Sequence, residues 1–366
     1  KYVIVSSVDG DYQRVLESKL KKGEDVDIFV TEAIWSDLVH EYALPLNELG
    51  LKNSDLADYY RSSYQVSSDE YGRVLGLSPY TNNGVLIYRR SIAKDVLGTD
   101  DPTKVAAYVK NMKTFNNTAK KISDAGYTVT GAPDDLFRLY NSGNETPAVK
   151  NGKVTIPAAW KEWADYAKKT YVNDYYLTDN AWAEEWYGGM RDTGETFCYF
   201  GPSWFVDYTI GPNSGDGYDN DDQSDEWAVT TPPAGFVWGP VTLSIAGSSD
   251  NPHLAYDIIK TLSGDESIQK NLAIEELFMP NLKSVTKELA ASDFSHNYLG
   301  GQNPYEIFHK AGLAVDINPE NLWYTENLSP LYSTAMTDYI KGYITYEEAL
   351  ENFKEAVRND YPELEF

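Results

Sequence analysis

Apolar positions recur along the chain with two spacings, which alternate from its first residues to its last. Short apolar or β-branched runs predict strands, for example at residues 1–8, 27–30 and 197–200. Apolar residues three and four positions apart predict amphipathic helices, as at residues 254–262. A strand, a helix and a second strand within the first 30 or so residues predict a βαβ unit with parallel strands. This mixture predicts an α/β fold.

Capping and turn residues mark the ends of several predicted helices. Thr345 and Glu348 form a capping-box pattern ahead of an apolar helix face. Pro102 directly after Asp101 predicts another helix start, because proline fits the first helical position. The stretch 213–226 is acidic and rich in glycine, and it predicts a loop. We find no internal repeat and no single linker, which is compatible with two lobes that the chain crosses between more than once.

Length and charge narrow the classes of partner. The chain has 366 residues and a formal net charge of −25. The length predicts two domains, at about 100–200 residues each. The excess of acidic residues argues against nucleic acid or an anionic membrane as the partner, because like charges repel. No apolar run approaches the roughly 18–20 residues of a membrane span.

The few cysteines and histidines argue against metal and disulfide chemistry. Cys198 is the single cysteine, and its place in an apolar strand predicts a buried, inert thiol. None of the four histidines pairs at a zinc-ligand spacing such as HxH or HExxH. The acidic loop 216–222 lacks the ligand order of an EF-hand, so a mobile loop is favoured over a bound cation there. We therefore expect no metal and no cofactor.

The motifs of common enzymes are missing, with one class left open. The chain contains no GxSxG elbow, no GxxxxGK[ST] loop and no GxGxxG turn. A glycoside hydrolase needs two carboxylates about 5–10 Å apart across a sugar. Glu184 and Glu185 lie beside Trp182 and Trp186, and Glu276 is a further candidate. Because the chain has 56 acidic residues, such neighbours are weak evidence, and we expect no enzyme.

Aromatic residues are the most informative feature, since they make up 14% of the chain. Tyrosine and tryptophan combine a flat apolar face with a polar edge, which suits a groove for a planar or sugar-like ligand. Trp160 and Trp163 lie inside a predicted helix and are interpreted as core residues. Others lie at turns beside strand or helix ends, where α/β sheets bind ligands. These candidates for ligand contact are Tyr80, Trp204, Trp238 and Trp323.

Several stretches, in order along nearly the whole chain, resemble the bacterial extracellular solute-binding proteins of the maltose-binding-protein type. The first half contributes DIFVTEA at 27–33, LIYRR at 86–90, LGTDDP at 97–102 and EWYGGM at 185–190. The second half contributes FGPSW at 200–204, EWAVT at 226–230, FVWG at 236–239, the helix at 254–262, GGQNPYEIF at 300–308, YIKG at 339–342 and EEAL at 347–350.

The resemblance implies an α/β, two-lobed fold of the periplasmic-binding-protein type II kind, with a ligand cleft between the lobes. The first lobe would comprise residues 1–83 plus 244–297, and the second residues 84–243 plus 298–366. The chain would cross near residues 83–84, 243–246 and 298–301, and Gly84 suits a hinge.

The resemblance also implies roles for individual residues. Trp204 would be the stacking platform for a sugar ring. Polar contacts would come from Glu32 and Asn83 of the first lobe and from a second-lobe loop. The residues of that loop are Asp135 and Arg138, and further residues lining the cleft are Trp238, Glu276 and Trp323.

By the same resemblance, the protein would capture an oligosaccharide and deliver it to the permease subunits of an ABC importer. We expect a monomer at the cell surface, as a lipoprotein of a Gram-positive bacterium, or in the periplasm of a Gram-negative one. A carbohydrate-binding surface adhesin is the other alternative. Family members have a further strand and helix ahead of the segment that matches residues 1–8, so we expect the first lobe to lack these opening elements.

Overall fold

The computed structural model describes residues 3–5, 11–32, 35–142, 146–215, 226–317 and 324–366. The chain alternates between helices and short strands, as the apolar pattern predicts. The strands are β1 Ile28–Glu32, β2 Gly76–Leu77, β3 Val85–Arg89, β4 Thr128–Thr130, β5 Val149–Lys150, β6 Lys153–Val154, β7 Thr196–Gly201, β8 Trp227–Thr230 and β9 Val241–Ile245.

The longer helices cover both sheets and fill the C-terminal part of the chain. In chain order they are Asp11–Lys22, Ser36–Tyr42, Arg90–Leu97, Pro102–Val109, Met112–Asp124, Pro133–Ser142, Ala158–Tyr171, Pro252–Gly264, Glu266–Glu276, Lys283–Ala290, Tyr305–Ala314, Thr325–Ile340 and Tyr346–Asp360. The predicted capping box is confirmed, since the Thr345 hydroxyl accepts from the Glu348 amide and the Glu348 carboxylate accepts from the Thr345 amide. Asp101 caps the helix that begins at Pro102, as predicted.

The strands form two separate larger sheets. One has the order β1-β9-β2, and both of its pairings are antiparallel, with Ile28 opposite Ile245 and Gly76 opposite Ser244. The other has the order β4-β7-β3-β8. Within the described strands only β4 and β7 run parallel. The described partner of β1 is the distant strand β9, in an antiparallel pair. The parallel pairing predicted for the first βαβ unit stays a prediction, because most of its first strand lies outside the described residues.

The apolar start of the chain differs from the prediction of a buried strand. Residues 1–2 and 6–10 lie outside the described residues, but Val3 and Ile4 are 60% and 81% exposed and are in no strand. An apolar run is buried only where a partner strand or a core face covers it. Among the described residues, no strand pairs with this segment.

The second sheet carries the aromatic core. Trp160 and Trp163 of helix Ala158–Tyr171 are fully buried against Phe137 and Tyr332, which confirms them as core residues. Cys198 is also fully buried in β7, and burial raises the pKa of its thiol well above the usual value. The prediction of an inert thiol is therefore supported by its environment.

Helix Pro252–Gly264 is confirmed, but the face it buries is narrower than predicted. Ala255, Tyr256 and Ile259 are buried against the first sheet, whereas Leu254 and Ile258 are exposed. The apolar spacing fits two adjacent stripes of this helix, and only packing against the sheet decides which stripe is covered.

The chain passes between the two sheets along paired segments. Residues 81–84 lie antiparallel to residues 236–238, with the Gly84 amide donating to the Phe236 carbonyl at 2.8 Å and the Trp238 amide to the Asn82 carbonyl at 3.2 Å. All of β9 lies in the first sheet, so this passage falls at residues 231–240, ahead of the predicted crossing at 243–246. We call residues 81–84 and 236–240 the crossing segments.

Gly84 has a packing reason to be glycine. A Cβ added there would lie 1.9 Å from Cζ of the buried Phe236. We expect Gly84→Ala to lower the free energy of unfolding by about 1–3 kcal/mol, the usual cost of overpacking. Urea denaturation of Gly84→Ala, of Phe236→Leu and of the variant that carries both changes provides the check. The smaller side chain should recover part of the loss, and strictly additive effects would show that the two positions do not collide.

Candidate functional site

Three tryptophans meet at the crossing segments, and one of them, Trp238, lies within the second segment. The rings of Trp182 and Trp204 lie 5.4 and 5.3 Å from the ring of Trp238, tilted by 44° and 43°. Phe205 lies 5.5 Å from Trp238 and packs beneath the group. Trp182 is 48% exposed, while the other two are half-buried. We call Trp182, Trp204 and Trp238 the tryptophan cluster; it offers aromatic surface that is fixed in place and still open to solvent.

The position of Trp204 follows from the sequence around it. Strand β7 ends at Gly201, where an added Cβ would lie 2.5 Å from the Phe205 ring, so only glycine lets the helix turn begin so close to the strand. The Ser203 hydroxyl then accepts from the Met279 amide at 2.9 Å, which ties the turn to the segment after helix Glu266–Glu276. Trp204 is held at the sheet edge by contacts on both sides.

The helical segment 203–213 that follows contains a π-helical turn at Val206–Ile210. Such turns are rare and occur frequently at functional sites. Tyr208, four residues after Trp204, is 55% exposed and donates a hydrogen bond to the Glu276 carboxylate. This bond, with burial as the second cause, raises the pKa of Tyr208 to about 12. The segment thus presents a tryptophan and a tyrosine near the crossing segments.

A second aromatic group adjoins it. The rings of Tyr80 and Phe278 stack in parallel at 4.0 Å, and the Tyr208 ring lies 6.0 Å from Phe278 at an angle of 17°. Burial raises the pKa of Tyr80, and the charge of Glu32 contributes. Glu32 is exposed at the end of β1, so the first sheet places a carboxylate near the Tyr80 hydroxyl.

Arg138 connects the tryptophan cluster to a buried carboxylate. Its guanidinium lies over the Trp238 ring, with Cζ 3.5 Å from the ring centroid. Its Nη1 donates to Oδ1 of Asp135 at 3.2 Å. A planar guanidinium can make a bidentate bond and an aromatic stack at once, which a lysine cannot. Arg138 is therefore oriented by both partners.

Asp135 is almost fully buried, and its hydrogen bonds are internal. Oδ2 accepts from the Ala132 amide at 2.9 Å, the Trp186 Nε1 at 3.0 Å and the Thr130 hydroxyl at 3.2 Å. With Arg138 on the other oxygen, its acceptor positions are occupied by protein. In this arrangement Asp135 positions Arg138 and Trp186, and a direct contact with ligand stays a prediction.

Asp134 supports the exposed tryptophan. Its Oδ1 accepts from the Ala181 amide at 3.2 Å, directly before Trp182, whose backbone is left-handed with φ of 69°. Burial raises the pKa of Asp134 to about 6, and the neighbouring charge of Asp135 adds to the effect. From the sequence, Trp182 is noted only as a neighbour of Glu184 and Glu185. Its spacing of four residues from Trp186 was the available signal.

The remaining candidates are distributed as follows. Asn83 is fully buried in a crossing segment, with its amide donating to the Thr81 hydroxyl at 3.0 Å, so it can reach a ligand only if that segment moves. Glu276 is half-buried and accepts from Tyr208. Trp323 lies outside the described residues. Glu184 and Glu185, the carboxylates considered for glycoside hydrolysis, are exposed on the short helix Glu184–Gly188.

Glu326 is a candidate that sequence reasoning missed. It lies in the first turn of helix Thr325–Ile340, where the helix dipole favours a negative charge. Burial raises its pKa to about 7, and the charge of Arg138 opposes this rise. A lone glutamate in a helix start carries no sequence signal, because only the fold brings it near Arg138.

Two further observations limit the kinds of site. Within the ranges that the structure describes, no three His, Cys, Asp or Glu side chains come together in the way a metal ion requires. The acidic stretch 216–222 lies outside those ranges. Of the helices described, none is both long enough and apolar enough to cross a membrane.

Similar solved structures share the fold over almost their full length. A crystal structure described as an extracellular solute-binding protein of family 1 has a TM-score of 0.80 at 14% identity, covering 96% of this chain and 91% of the other. The sugar-binding protein MalE of Xanthomonas citri has a TM-score of 0.71 at 15% identity, with 95% and 87% covered.

A third structure is the ABC transporter associated binding protein from B. animalis subsp. lactis in complex with β-1,6-galactobiose. It has a TM-score of 0.66 at 18% identity, covering 98% of this chain and 90% of the other. These likenesses show that the chain has the two-lobed α/β fold, as expected. No curated protein sequence is significantly similar to the chain. The family model of the bacterial extracellular solute-binding proteins matches residues 2–298. The chain therefore belongs to the bacterial extracellular solute-binding protein family.

Proposed function

We propose that the protein captures an oligosaccharide between its two lobes and delivers it to an ABC importer. The observation that carries this proposal is the tryptophan cluster, which lies beside the crossing segments and keeps aromatic surface open to solvent. The C–H faces of sugars stack on such rings, while hydroxyl groups need fixed donors and acceptors. Arg138 supplies donors, and the carboxylates of Glu32 and Glu276 supply acceptors.

More than one ring of the ligand can be accommodated. The tryptophan cluster and the Tyr80–Phe278 stack are separate aromatic groups, linked by the segment that carries both Trp204 and Tyr208. Each stacked sugar ring needs a platform of its own, so two groups favour an oligosaccharide over a monosaccharide. The galactobiose complex of the similar B. animalis protein agrees with a ligand of this class.

We propose lobes centred on the two sheets. The first lobe would follow the predicted ranges but would also include all of β9 and the helix Tyr305–Ala314, which packs against the helix Lys283–Ala290 of that lobe. Closure of the lobes would bend the crossing segments, since few residues connect the sheets there.

Membership of the family supports a proposal for location and partners. We propose that the protein acts as a monomer outside the cytoplasmic membrane, attached as a lipoprotein in a Gram-positive bacterium or free in the periplasm of a Gram-negative one. The permease subunits of the importer would then receive the closed, loaded form. The sugar leaves unchanged, so the protein would bind without catalysing a reaction.

A thermal-shift screen against defined mono- and oligosaccharides tests the binding role. A ligand at 100 times its dissociation constant adds about 2.7 kcal/mol of stability, which gives a clear rise in Tm. We expect one linkage class of neutral oligosaccharide to produce that rise, with the sugar recovered intact by chromatography. Release of shorter products would support a glycoside hydrolase instead, and a flat screen with folded protein would overturn the proposal.

A further inference from the structure

A short segment between two helices of the proposed first lobe reaches across to the second sheet. The helices Lys283–Ala290 and Tyr305–Ala314 pack against each other, and residues 296–302 lie between them in the chain. These residues contact the outer edge of β8 and the helical segment 203–213. We call residues 296–302 the strap. It is a connection between the two sheets that is separate from the crossing segments.

The strap is bound to the backbone of an edge strand. β8 is the last strand in the order β4-β7-β3-β8, so its outer side faces no partner strand among the described residues. The Gln302 side chain takes that place, since Oε1 accepts from the Val229 amide and Nε2 donates to the Val229 carbonyl, both at 2.9 Å. The Arg90 guanidinium donates to the Trp227 carbonyl at 3.0 Å and to the Leu299 carbonyl at 2.7 Å. Side chains thus cover this edge and fasten the strap to it.

The strap is closed on itself by backbone hydrogen bonds. The His296 amide donates to the Gln302 carbonyl at 3.3 Å, and the Gly301 amide donates to the His296 carbonyl at 3.0 Å. Leu299, in the middle of the strap, is fully buried. A closed loop with a buried anchor moves as one unit, so the contacts of any one of its side chains are supported by all of its attachments.

His296 of the strap faces the segment that presents aromatic side chains to the site. Its Nε2 lies 2.8 Å from Oδ1 of Asp207, and the two side chains are only 15% and 23% exposed. Asp207 belongs to the π-helical turn Val206–Ile210 and directly precedes Tyr208. Nδ1 of His296 is buried and has no hydrogen-bond partner among the described residues. Asp207 is therefore the polar group that holds this ring.

Tyr298 makes a second contact with the same segment. Its ring covers Gly211 so closely that an added Cβ there would lie 2.2 Å from Cε2 of the tyrosine. Gly211 directly follows the π-helical turn Val206–Ile210, so the strap contacts both the turn and the residue after it. An ordinary α-helical turn is the usual conformation for such a stretch. Contacts at both points favour the observed turn over that alternative.

We propose that the strap is a positioning element for ligand binding, in which His296 and Tyr298 act through the π-helical turn on Trp204 and Tyr208. This inference rests on the proposed function, because these two aromatic side chains belong to the surface that would stack on the sugar. The strap comes from the first lobe and Trp204 follows β7 of the second sheet, so the aromatic surface is attached to both lobes. Loss of the strap contacts would release the turn, and the sugar would then have to order it on binding.

Affinity is the first measurement. Isothermal titration compares wild type with His296→Ala, Tyr298→Ala and Asn297→Ala, and the probe is the oligosaccharide selected in the thermal-shift screen. Asn297 is exposed between the two positioning residues, which makes its replacement the matched control. We expect His296→Ala and Tyr298→Ala each to bind about tenfold more weakly, an effect in the range found for residues in contact. Asn297→Ala should bind as wild type does.

Two further variants check the contacts from the other direction. Gly211→Ala displaces the Tyr298 ring without any change in the strap, and it should weaken binding as Tyr298→Ala does. It also repeats the test if an alanine variant of the strap does not fold. His296→Gln keeps a nitrogen donor for Asp207, so it should recover part of the affinity that His296→Ala loses.

A readout without ligand separates positioning from general destabilisation. In protein labelled with fluorotryptophan, fluorine NMR detects each tryptophan, and the Trp204 resonance is the one missing from Trp204→Phe. We expect this resonance to shift or broaden in His296→Ala and in Tyr298→Ala, because the ring is no longer held in one environment. The resonance of the fully buried Trp160 should stay in place in both variants.

The outcomes distinguish the two proposals. Wild-type affinity and an unchanged Trp204 resonance in both His296→Ala and Tyr298→Ala would overturn the positioning role and leave the proposed function standing. Movement of the Trp160 resonance together with that of Trp204 would show a general structural effect, and this would also overturn it. Absence of binding by wild type to every sugar in the screen would overturn the proposed function, and with it the positioning role.

Discussion

Replacement of Trp204 by alanine should weaken oligosaccharide binding by about 30- to 700-fold, which corresponds to about 2–4 kcal/mol. Trp204 lies 5.3 Å from Trp238 at a fixed tilt and remains half-buried, so it offers a sugar face that needs no rearrangement. Its removal deletes a stacking surface and also the support for one side of Trp238. Isothermal titration with the sugar identified by thermal shift measures the loss.

The control for this variant is Tyr343→Ala. Tyr343 is 76% exposed and follows the far end of helix Thr325–Ile340, which at 1.5 Å per residue is about 24 Å long. It should bind as wild type does. Both variants should unfold at temperatures close to the wild-type value, because neither removed side chain is fully buried. Unchanged affinity of Trp204→Ala would remove Trp204 from the site.

The second large effect concerns stability and involves two adjacent aspartates with opposite expectations. Asp135→Asn should lower the free energy of unfolding by about 3–5 kcal/mol, the cost of breaking a buried ion pair on one side. Asparagine has a single side-chain acceptor oxygen, so it can accept either from Arg138 or from the three donors on the other side. Those three donors are Trp186, Ala132 and Thr130. Urea denaturation at pH 7 gives the change.

Asp134→Asn is the matched control, and it should be at least as stable as wild type at pH 7. The folded pKa of Asp134 is about 6, raised from 3.8, so protonation favours the folded state. That stabilising effect is complete below pH 3.8 and is lost as the pH rises through 6. An asparagine keeps the acceptor for Ala181 without the repulsion from Asp135. Equal losses in both variants would contradict the roles assigned to the two carboxyl groups.

The sequence was sufficient to predict elements whose burial is decided locally. The run 197–200 is a strand at every position, and all of its residues are buried. The capping box of Thr345 and Glu348 forms within a few residues of chain and is equally independent of the fold. The α/β class follows from such elements, as the structure confirms.

Features that depend on distant partners could not be predicted in this way. The antiparallel pairing of β1 comes from β9, which lies about 200 residues further along the chain. The sheet on which helix Pro252–Gly264 packs determines which side of the helix is exposed. The apolar spacing therefore predicts Leu254 as a core residue, although it is exposed in the structure. In both cases the local pattern leaves more than one partner or face available.

The site shows the same division. Trp204 and Trp238 were selected because they lie at turns, and the fold brings them together. Trp182 has only its spacing of four residues from Trp186 as a local signal, and it joins the site through tertiary contacts. Glu326 has no distinguishing local pattern, and only the fold lets the charge of Arg138 act on it. Asp135 was selected as a ligand contact by resemblance, whereas its oxygens are occupied by protein donors. The ligand contacts of all these residues stay predictions.

A crystal structure of the protein with the oligosaccharide selected by thermal shift tests the central claim most directly. The account predicts pyranose rings stacked on Trp182 and Trp204, with the two sheets closer together than in the unliganded form. A ligand bound away from the tryptophan cluster, or a cluster left open to solvent in the complex, would contradict it.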